Sequence, residues 1–282
     1  CMSGHSALIL WLADVTKEDI STVGNHALSL GEMARHGFPI PDGFVITSRA
    51  YYQFLQENNL ADKITGILAS ASFNHPDSLM QISAQIRRLF MQGHLSPELI
   101  KELDNAYKRI GGVFNQPHVI LRSSVTARDL PTVSFAGHHH TFADIHGEAN
   151  LILKIREVWA SFFDPKALLS RHHQQFDHFQ IAVPVIVQKM INPTKSGMML
   201  TMDPLKNDTS KIIIDAVEGD IEPLLKGKVT PDHYVIKKKD LSIVTRESKK
   251  KVLTDNQILD LALLGKKLDK IHFFPQSITW GI

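Results

Sequence analysis

The residues of this chain best suited to chemistry run Arg122-Ser123-Ser124-Val125-Thr126-Ala127-Arg128-Asp129-Leu130-Pro131 and continue through Ser134-Phe135-Ala136-Gly137. An arginine offers a planar fork of donors that matches phosphate oxygens two at a time. Serine and threonine hydroxyls, with the backbone N–H groups of a glycine loop, can close around the same anion. The pattern points to a phosphate-handling site. The apolar run from His118 to Leu121 predicts a strand ending in Arg122, followed by a hydroxyl-rich turn and a small-residue loop. An ordinary strand-to-loop junction fits the same residues.

The elements that would position this stretch read as a mixed, α+β chain. Thr16 and Asp19 have capping spacing. Ala27, Leu30, Met33 and Ala34 form a helical face that Gly37 stops. Pro39 and Pro41 force an extended segment, and Gly43 leads into the strand Phe44 to Thr47. Ser48 is expected to cap a helix bearing Tyr51, Phe54 and Leu55. Further helices are expected over Leu79 to Gln92, Pro97 to Ile110, Leu151 to Phe162 and from Pro165 toward Gln174. Short β-rich runs follow at Ala182 to Met190, Met198 to Met202, Lys211 to Val217 and His233 to Lys237. This change of pattern near residue 190 suggests two domains, 1–190 with the phosphate loop and 191–282 rich in strands. Thr254 and Gln257 form a capping box for a last helix, and Ile278 and Trp280 lie in a final strand.

Composition sets the outer limits. The 282 residues can bury a large core; 43% are hydrophobic and 21% charged, and the formal net charge is +2. This balance gives no sign of a nucleic-acid or membrane role, and the run Lys249 to Lys251 reads as a solvated hairpin or loop. No apolar run reaches the ~18 residues needed to span a bilayer. Leu8 to Leu12 is too short for a signal segment. The only cysteine is Cys1, which precludes an internal disulfide and suggests a cytoplasmic location. Cys1 precedes Met2 and reads as an added residue, without a catalytic role.

Several segments together resemble one family. They are Val23-Gly24-Asn25-His26, Ser29-Leu30-Gly31-Glu32-Met33 and Gly37-Phe38-Pro39-Ile40-Pro41-Asp42-Gly43-Phe44; then Arg122 to Pro131, Ser134 to Gly137 and Thr141; then Val187-Gln188-Lys189-Met190, Ser196-Gly197 and Thr201 to Pro204; and finally Gly227, Pro231-Asp232 and Pro275-Gln276-Ser277-Ile278-Thr279-Trp280. In this order they resemble the N-terminal ATP-binding domain of phosphoenolpyruvate synthase (pyruvate, water dikinase) and pyruvate, phosphate dikinase. The resemblance implies an ATP-grasp-type domain of two lobes with a cleft between them, and ATP as ligand. It implies that Arg122 contacts phosphates and that the loop with Ser134 and Gly137 covers them. It places Gln188 and Met190 against adenine and Glu222 near the ribose, and it includes Thr141 and Thr201 among the nucleotide-side positions. Plain core packing for Met190 and a solvated carboxylate for Glu222 are the competing readings.

The departures from the family pattern are informative. The family opens with Gly-Gly-Lys, where the lysine reaches the phosphates; here Asn25 and His26 occupy the last two positions. A neutral imidazole is a shorter, weaker phosphate partner than an ammonium. Arg128 reverses the sign of the family's acidic residue. Near the C-terminus the family's Asp-Ile-Glu-Trp carboxylates hold Mg²⁺, whereas Ser277 and Thr279 stand here. Hydroxyls replace hard anionic ligands poorly, so the pattern argues against Mg²⁺ binding and ordinary ATP turnover. His138, His139 and His140 follow the loop, but adjacent side chains of an extended chain point to opposite sides, so no metal site is assigned. His172, His173 and His178 read as surface or core-edge residues, His178 with a structural role.

The chain stops at Ile282, ahead of the family's Gln-x-Arg strand, and has neither the swivelling phosphohistidine domain nor the pyruvate-binding barrel. It is therefore expected to be a fragment or a short relative, unable to run the full dikinase cycle alone. Three readings of function follow. The chain is the ATP-binding domain of a phosphotransferase, with the swivelling domain or another protein as partner. Alternatively, it is an inactive module that binds a nucleotide as regulator or scaffold. A third reading is a repurposed phosphotransferase with another acceptor.

Overall fold

The computed structural model describes residues 7–111, 116–126, 141–272 and 275–282. The chain divides into two compact units, Cys1–Met190 and Ile191–Ile282.

The first unit is built on a five-stranded sheet. Its strands are β1 (Ile9–Trp11), β2 (Gly43–Ile46), β3 (Val119–Ser123), β4 (Thr141–Ile145) and β5 (Val185–Lys189), in the order β1-β2-β5-β3-β4. Every neighbouring pair is antiparallel. Among the described residues seven α-helices accompany it: α1 (Ile20–Arg35), α2 (Ser48–Glu57), α3 (Leu60–Ala69), α4 (Pro76–Gln92), α5 (Pro97–Gly111), α6 (Glu148–Ser161) and α7 (Pro165–His173).

The period of two along each strand assigns the two faces. Val119, Leu121, Val185, Val187, Phe44 and Ile46 point into a large core shared with α2 and α4 to α6, where Phe54, Phe90 and Trp159 pack together. On the other face Val45 and Ile186 meet Val23 and Ala27 of α1, with Leu12 and Val15, in a smaller cluster.

Several local signals read from sequence are realised in this unit. Thr16 and Asp19 form a capping box, with Asp19 Oδ2 accepting from the Thr16 N–H at 2.9 Å. Gly37, at φ +73°, follows the end of α1 in the left-handed region. Ser48 is different: it is the first residue of α2, Thr47 is the N-cap, and neither makes a side-chain cap. Thr47 Oγ1 instead donates to the Ala7 carbonyl at 2.7 Å, and Ser48 Oγ donates to the Ser21 carbonyl at 3.2 Å. Tertiary partners have taken both hydroxyls away from the helix end.

The second unit is an antiparallel sheet under one long helix. Its strands are β6 (Lys195–Leu200), β7 (Lys211–Glu218), β8 (Asp232–Lys237), β9 (Ile243–Glu247) and β10 (Ser277–Gly281), ordered β10-β6-β7-β8-β9. Between β7 and β8 lies the one-turn helix α8 (Glu222–Leu225), and α9 (Asp255–His272) precedes β10. The α9 face carries Met199, Ile212, Ile214, Tyr234 and Ile236 against Ile258, Leu261 and Ala262. The Thr254–Gln257 capping box starts α9, with reciprocal bonds of 3.0 and 3.3 Å.

A single carboxylate organises the loop between β9 and α9. Asp232 is buried, and its oxygens accept from the N–H groups of Lys249 (2.9 Å), Lys250 (3.2 Å) and Val252 (2.9 Å) and from Ser248 Oγ (2.8 Å). The lysine run is therefore a loop folded around an anion, with its side chains exposed. Burial pushes the Asp232 carboxyl up, but the bonds from Val252, Ser248, Lys250 and Lys249 together pull it below the ordinary carboxylate range. A group held below its unfolded value contributes stability above that value and loses it as the pH falls through its folded value. Asp232→Asn should cost about 3 kcal/mol at neutral pH, since it weakens several charge-assisted bonds at a buried site. Urea unfolding of the variant should show a smaller loss of stability between pH 6 and pH 3 than the parent shows.

Candidate functional site

The site in the first unit begins at Gly24, which breaks α1 with φ +78° and ψ 169°. This backbone region is essentially closed to residues with a Cβ. A Cβ there would also lie 2.2 Å from the Ser124 carbonyl oxygen and 2.7 Å from Ser124 Oγ. The helix resumes at Asn25, and the Ala27 N–H donates to Ser124 Oγ at 3.0 Å in a buried bond. Ser124 thus supplies, from 97 residues away, the capping acceptor that the N-terminal turn lacks locally. His26 lies inside this turn, half-buried.

Ser124 follows directly on β3. Arg122 lies within that strand, not at its end, because the ladder continues past it: Arg122 is opposite Ile186 and Ser123 opposite Val185. Beyond the strand, the Ser124 N–H donates to the Pro184 carbonyl at 2.8 Å and the Thr126 N–H to the Ala182 carbonyl at 3.3 Å. The expected hydroxyl-rich turn is, through Thr126, an extended segment paired with residues 182–184.

The register brings several predicted residues onto one face. Arg122 is opposite Thr141 on β4 and Ile186 on β5, and Gln188 is opposite Gly43 and Ile120. Directly opposed antiparallel residues share a side, so Arg122, Thr141, Ile186 and Gln188 occupy the face that α1 partly covers. Arg122 is half-buried. Burial lowers its guanidinium pKa, and among the described residues no carboxylate pairs with it.

Gln188 is buried, and its Nε2 donates to the Pro41 carbonyl at 3.2 Å. Its side chain runs across Gly43, where a Cβ would lie 2.7 Å from Gln188 Cγ. The following backbone donors are also engaged: the Lys189 N–H donates to the Asp42 carbonyl and the Met190 N–H to the His118 carbonyl, both at 2.8 Å. The Met190 side chain is 36% exposed. Ser134, Gly137, Arg128 and His138 to His140 lie outside the described residues.

The remaining predicted positions belong to the second unit. Thr201 is fully buried, and its Oγ1 accepts from the Gln276 N–H at 2.7 Å, joining β6 to the start of β10. Glu222 opens α8 and pairs with Lys226 one turn later; the Lys226 bond and charge lower its carboxyl pKa. Ser277 and Thr279 are opposite Leu200 and Met198. They therefore project from the face opposite α9. Continuing the Thr279–Met198 row across the sheet reaches Asp215 and then His233, whose Nδ1 lies 2.7 Å from Asp215 Oδ1. This cross-strand pair carries no local sequence signal, because 18 residues separate its members and only the register joins them. Ser277 and Thr279 offer neutral hydroxyls, and among the described residues no group of three or more His, Cys, Asp or Glu could hold a metal ion. This donor set does not fit Mg²⁺, which takes anionic oxygens in octahedral geometry.

Residues 20–255 match the family model described as pyruvate phosphate dikinase, AMP/ATP-binding domain. The chain belongs to this family. Among curated relatives, a probable phosphoenolpyruvate synthase of Methanocaldococcus jannaschii is 33% identical over 97% of this chain and 25% of its own length. A second, from Archaeoglobus fulgidus, is 34% identical over 97% of this chain and 40% of its length. A third, from Staphylothermus marinus, is 38% identical over 87% of this chain and 30% of its length. The chain thus spans between a quarter and two-fifths of these relatives. No helix among the described residues is long and apolar enough to cross a membrane.

Gly24→Ala should lower unfolding stability by at least about 3 kcal/mol, since it adds a strained backbone and a clash with the Ser124 main chain. Gly66→Ala provides the control. Gly66 lies within α3 with nothing near its missing Cβ, and the change should stabilise by about 0.5–1 kcal/mol. Urea denaturation of both variants checks the contrast.

Proposed function

We propose that this chain is an ATP-grasp-type nucleotide-binding domain in which Arg122 receives the phosphates of ATP. The observation that carries the reading is Arg122 itself. It is a desolvated guanidinium with no carboxylate partner among the described residues, on a sheet face shared with Thr141 and beside the helix turn capped by Ser124. A guanidinium in this state gains a charge-assisted, bidentate partner when a phosphate arrives. The family description supports AMP or ATP as ligand.

In this reading Arg122 orients the phosphates and His26 stands where the family has a lysine; Ser134 and Gly137, outside the described residues, belong to the phosphate loop of the family pattern. Thr141 flanks the phosphates and Gln188 and Met190 line the base in the first unit, while Thr201 and Glu222 are the nucleotide-side residues that the resemblance implies for the second. The engaged N–H groups of Lys189 and Met190 leave carbonyls and side chains as the contacts this segment offers to adenine. The relatives are named phosphoenolpyruvate synthase. A phosphotransferase of that type, with a swivelling phosphohistidine domain or another protein receiving the phosphoryl group, is the whole-protein setting proposed here.

A second reading, nucleotide binding without turnover, is favoured by Ser277 and Thr279. Their hydroxyls do not supply the metal charge that phosphoryl transfer uses to stabilise its transition state. Calorimetric titration with ATP, with and without Mg²⁺, separates the two. The second reading predicts binding that is independent of Mg²⁺ and yields no ADP or AMP. Arg122→Ala should weaken ATP binding roughly 10- to 100-fold, the loss of a charge-assisted contact of about 1.5–3 kcal/mol. Unchanged affinity in that variant would remove Arg122 from the site.

A further inference from the structure

The long helix of the second unit covers its sheet with one side and leaves the other side bare. Ile258, Leu261 and Ala262 of α9 pack into the core of the unit. The side turned away carries two leucines one turn apart, Leu259 at 41% and Leu263 at 48% exposed. A single exposed leucine is unremarkable. Here the charges around the pair are sorted along the helix.

Acids stand at the start of α9 and bases at its end. Asp255 is engaged by Arg246 of the same chain, which leaves the exposed Asp260 as the acid beside the leucines. Lys266, Lys267 and Lys270 follow in the last two turns, Lys267 and Lys270 exposed and Lys266 half-buried. Asp260 and Lys267 are seven residues apart. Seven residues make nearly two turns, so both lie on one line along the helix, about 10 Å apart. A two-fold axis crossing α9 midway between them brings the Asp260 of each copy opposite the Lys267 of the other. The same axis sets Leu263 against its own copy. Leu259 then meets the aliphatic stems of Lys266 and Lys270, which can cover apolar surface while their ammonium groups stay in water. The two helix dipoles run antiparallel in this arrangement. A parallel pairing would set lysine against lysine.

We infer that the outward face of α9 is a self-association surface on which a second copy of this chain docks antiparallel about a two-fold axis. A closed two-fold contact needs a patch complementary to itself. An acid and a base placed symmetrically about an apolar centre meet that need, whereas an acidic partner would meet Asp260 beside the leucines. One helix face supplies less than the roughly 800 Å² per partner of a standard interface. The dimer is therefore weak, with a Kd of about 10–100 μM. None of these residues is among those assigned to ATP, so the surface stands independently of the nucleotide reading.

Sedimentation equilibrium of the full chain between about 5 and 500 μM tests the surface. The parent should show a monomer–dimer equilibrium. Asp260→Lys and Lys267→Asp each set like charges together at both ends of the contact and should raise the Kd roughly tenfold or more. Mixed in equal amounts, the two variants should regain the parent's affinity, because every contact between positions 260 and 267 of the mixed dimer again joins opposite charges. Leu263→Glu should leave a monomer with the parent's circular dichroism spectrum. A parent that stays monomeric throughout the range would overturn the proposal and leave the face to a partner of another kind. A dimer whose Kd neither charge variant changes would place the contact elsewhere and overturn it too, as would a mixture that associates no better than its components. If Leu263→Glu does not fold, the charge variants, which alter exposed side chains, decide the question.

Discussion

The bond from the Ala27 N–H to Ser124 Oγ, with Gly24 pressed against the Ser124 main chain, is the contact on which the arrangement of the first unit depends. It fastens the α1 turn to the strand that carries Arg122. The geometry leaves no choice at residue 24, where the dihedral angles and the 2.2 Å approach both demand glycine. Residues 25 and 26 are not constrained in this way. Asn25 is exposed and His26 half-buried, so these positions can change chemistry while the joint is kept. The glycine thus answers to the fold.

Much of the architecture was legible because its signals are local. Short β-rich runs between turn residues marked β5 to β8, and the Thr16–Asp19 and Thr254–Gln257 pairs marked their caps. Where the sequence reading went astray, a distant partner had overridden a local preference. Ser48 reads as a cap until Thr47 and Ser48 find carbonyls elsewhere. Arg122 reads as a strand end because Arg-Ser-Ser breaks the apolar run, yet β5 and Pro184 carry the pairing onward. β9 escaped notice because Ile-Val-Thr-Arg-Glu mixes charges into an edge strand, where one side needs no partner. At the site, residue types were legible but shared faces were not. That Arg122, Thr141 and Gln188 lie on one side of a sheet depends on register, which the sequence does not state.

The two buried arginine environments contrast. Arg122 is half-buried and has no carboxylate partner among the described residues. Arg171 is enclosed by aromatic rings, a neutral imidazole and a carbonyl. In both, desolvation weakens the guanidinium's hold on its proton, but only the half-buried one can exchange partners without the core opening.

The loop around Asp232 leads to a conclusion about variation. Its shape is read from main-chain N–H groups at positions 249, 250 and 252, and the side chains there take no part in the cradle. At 249 and 250, where the side chains are exposed, any residue that keeps its amide hydrogen preserves the loop and proline is forbidden, whereas Val252 also packs in the core. Lys249 and Lys250 are therefore free to drift in charge and size over evolutionary time, while the carboxylate beneath them cannot.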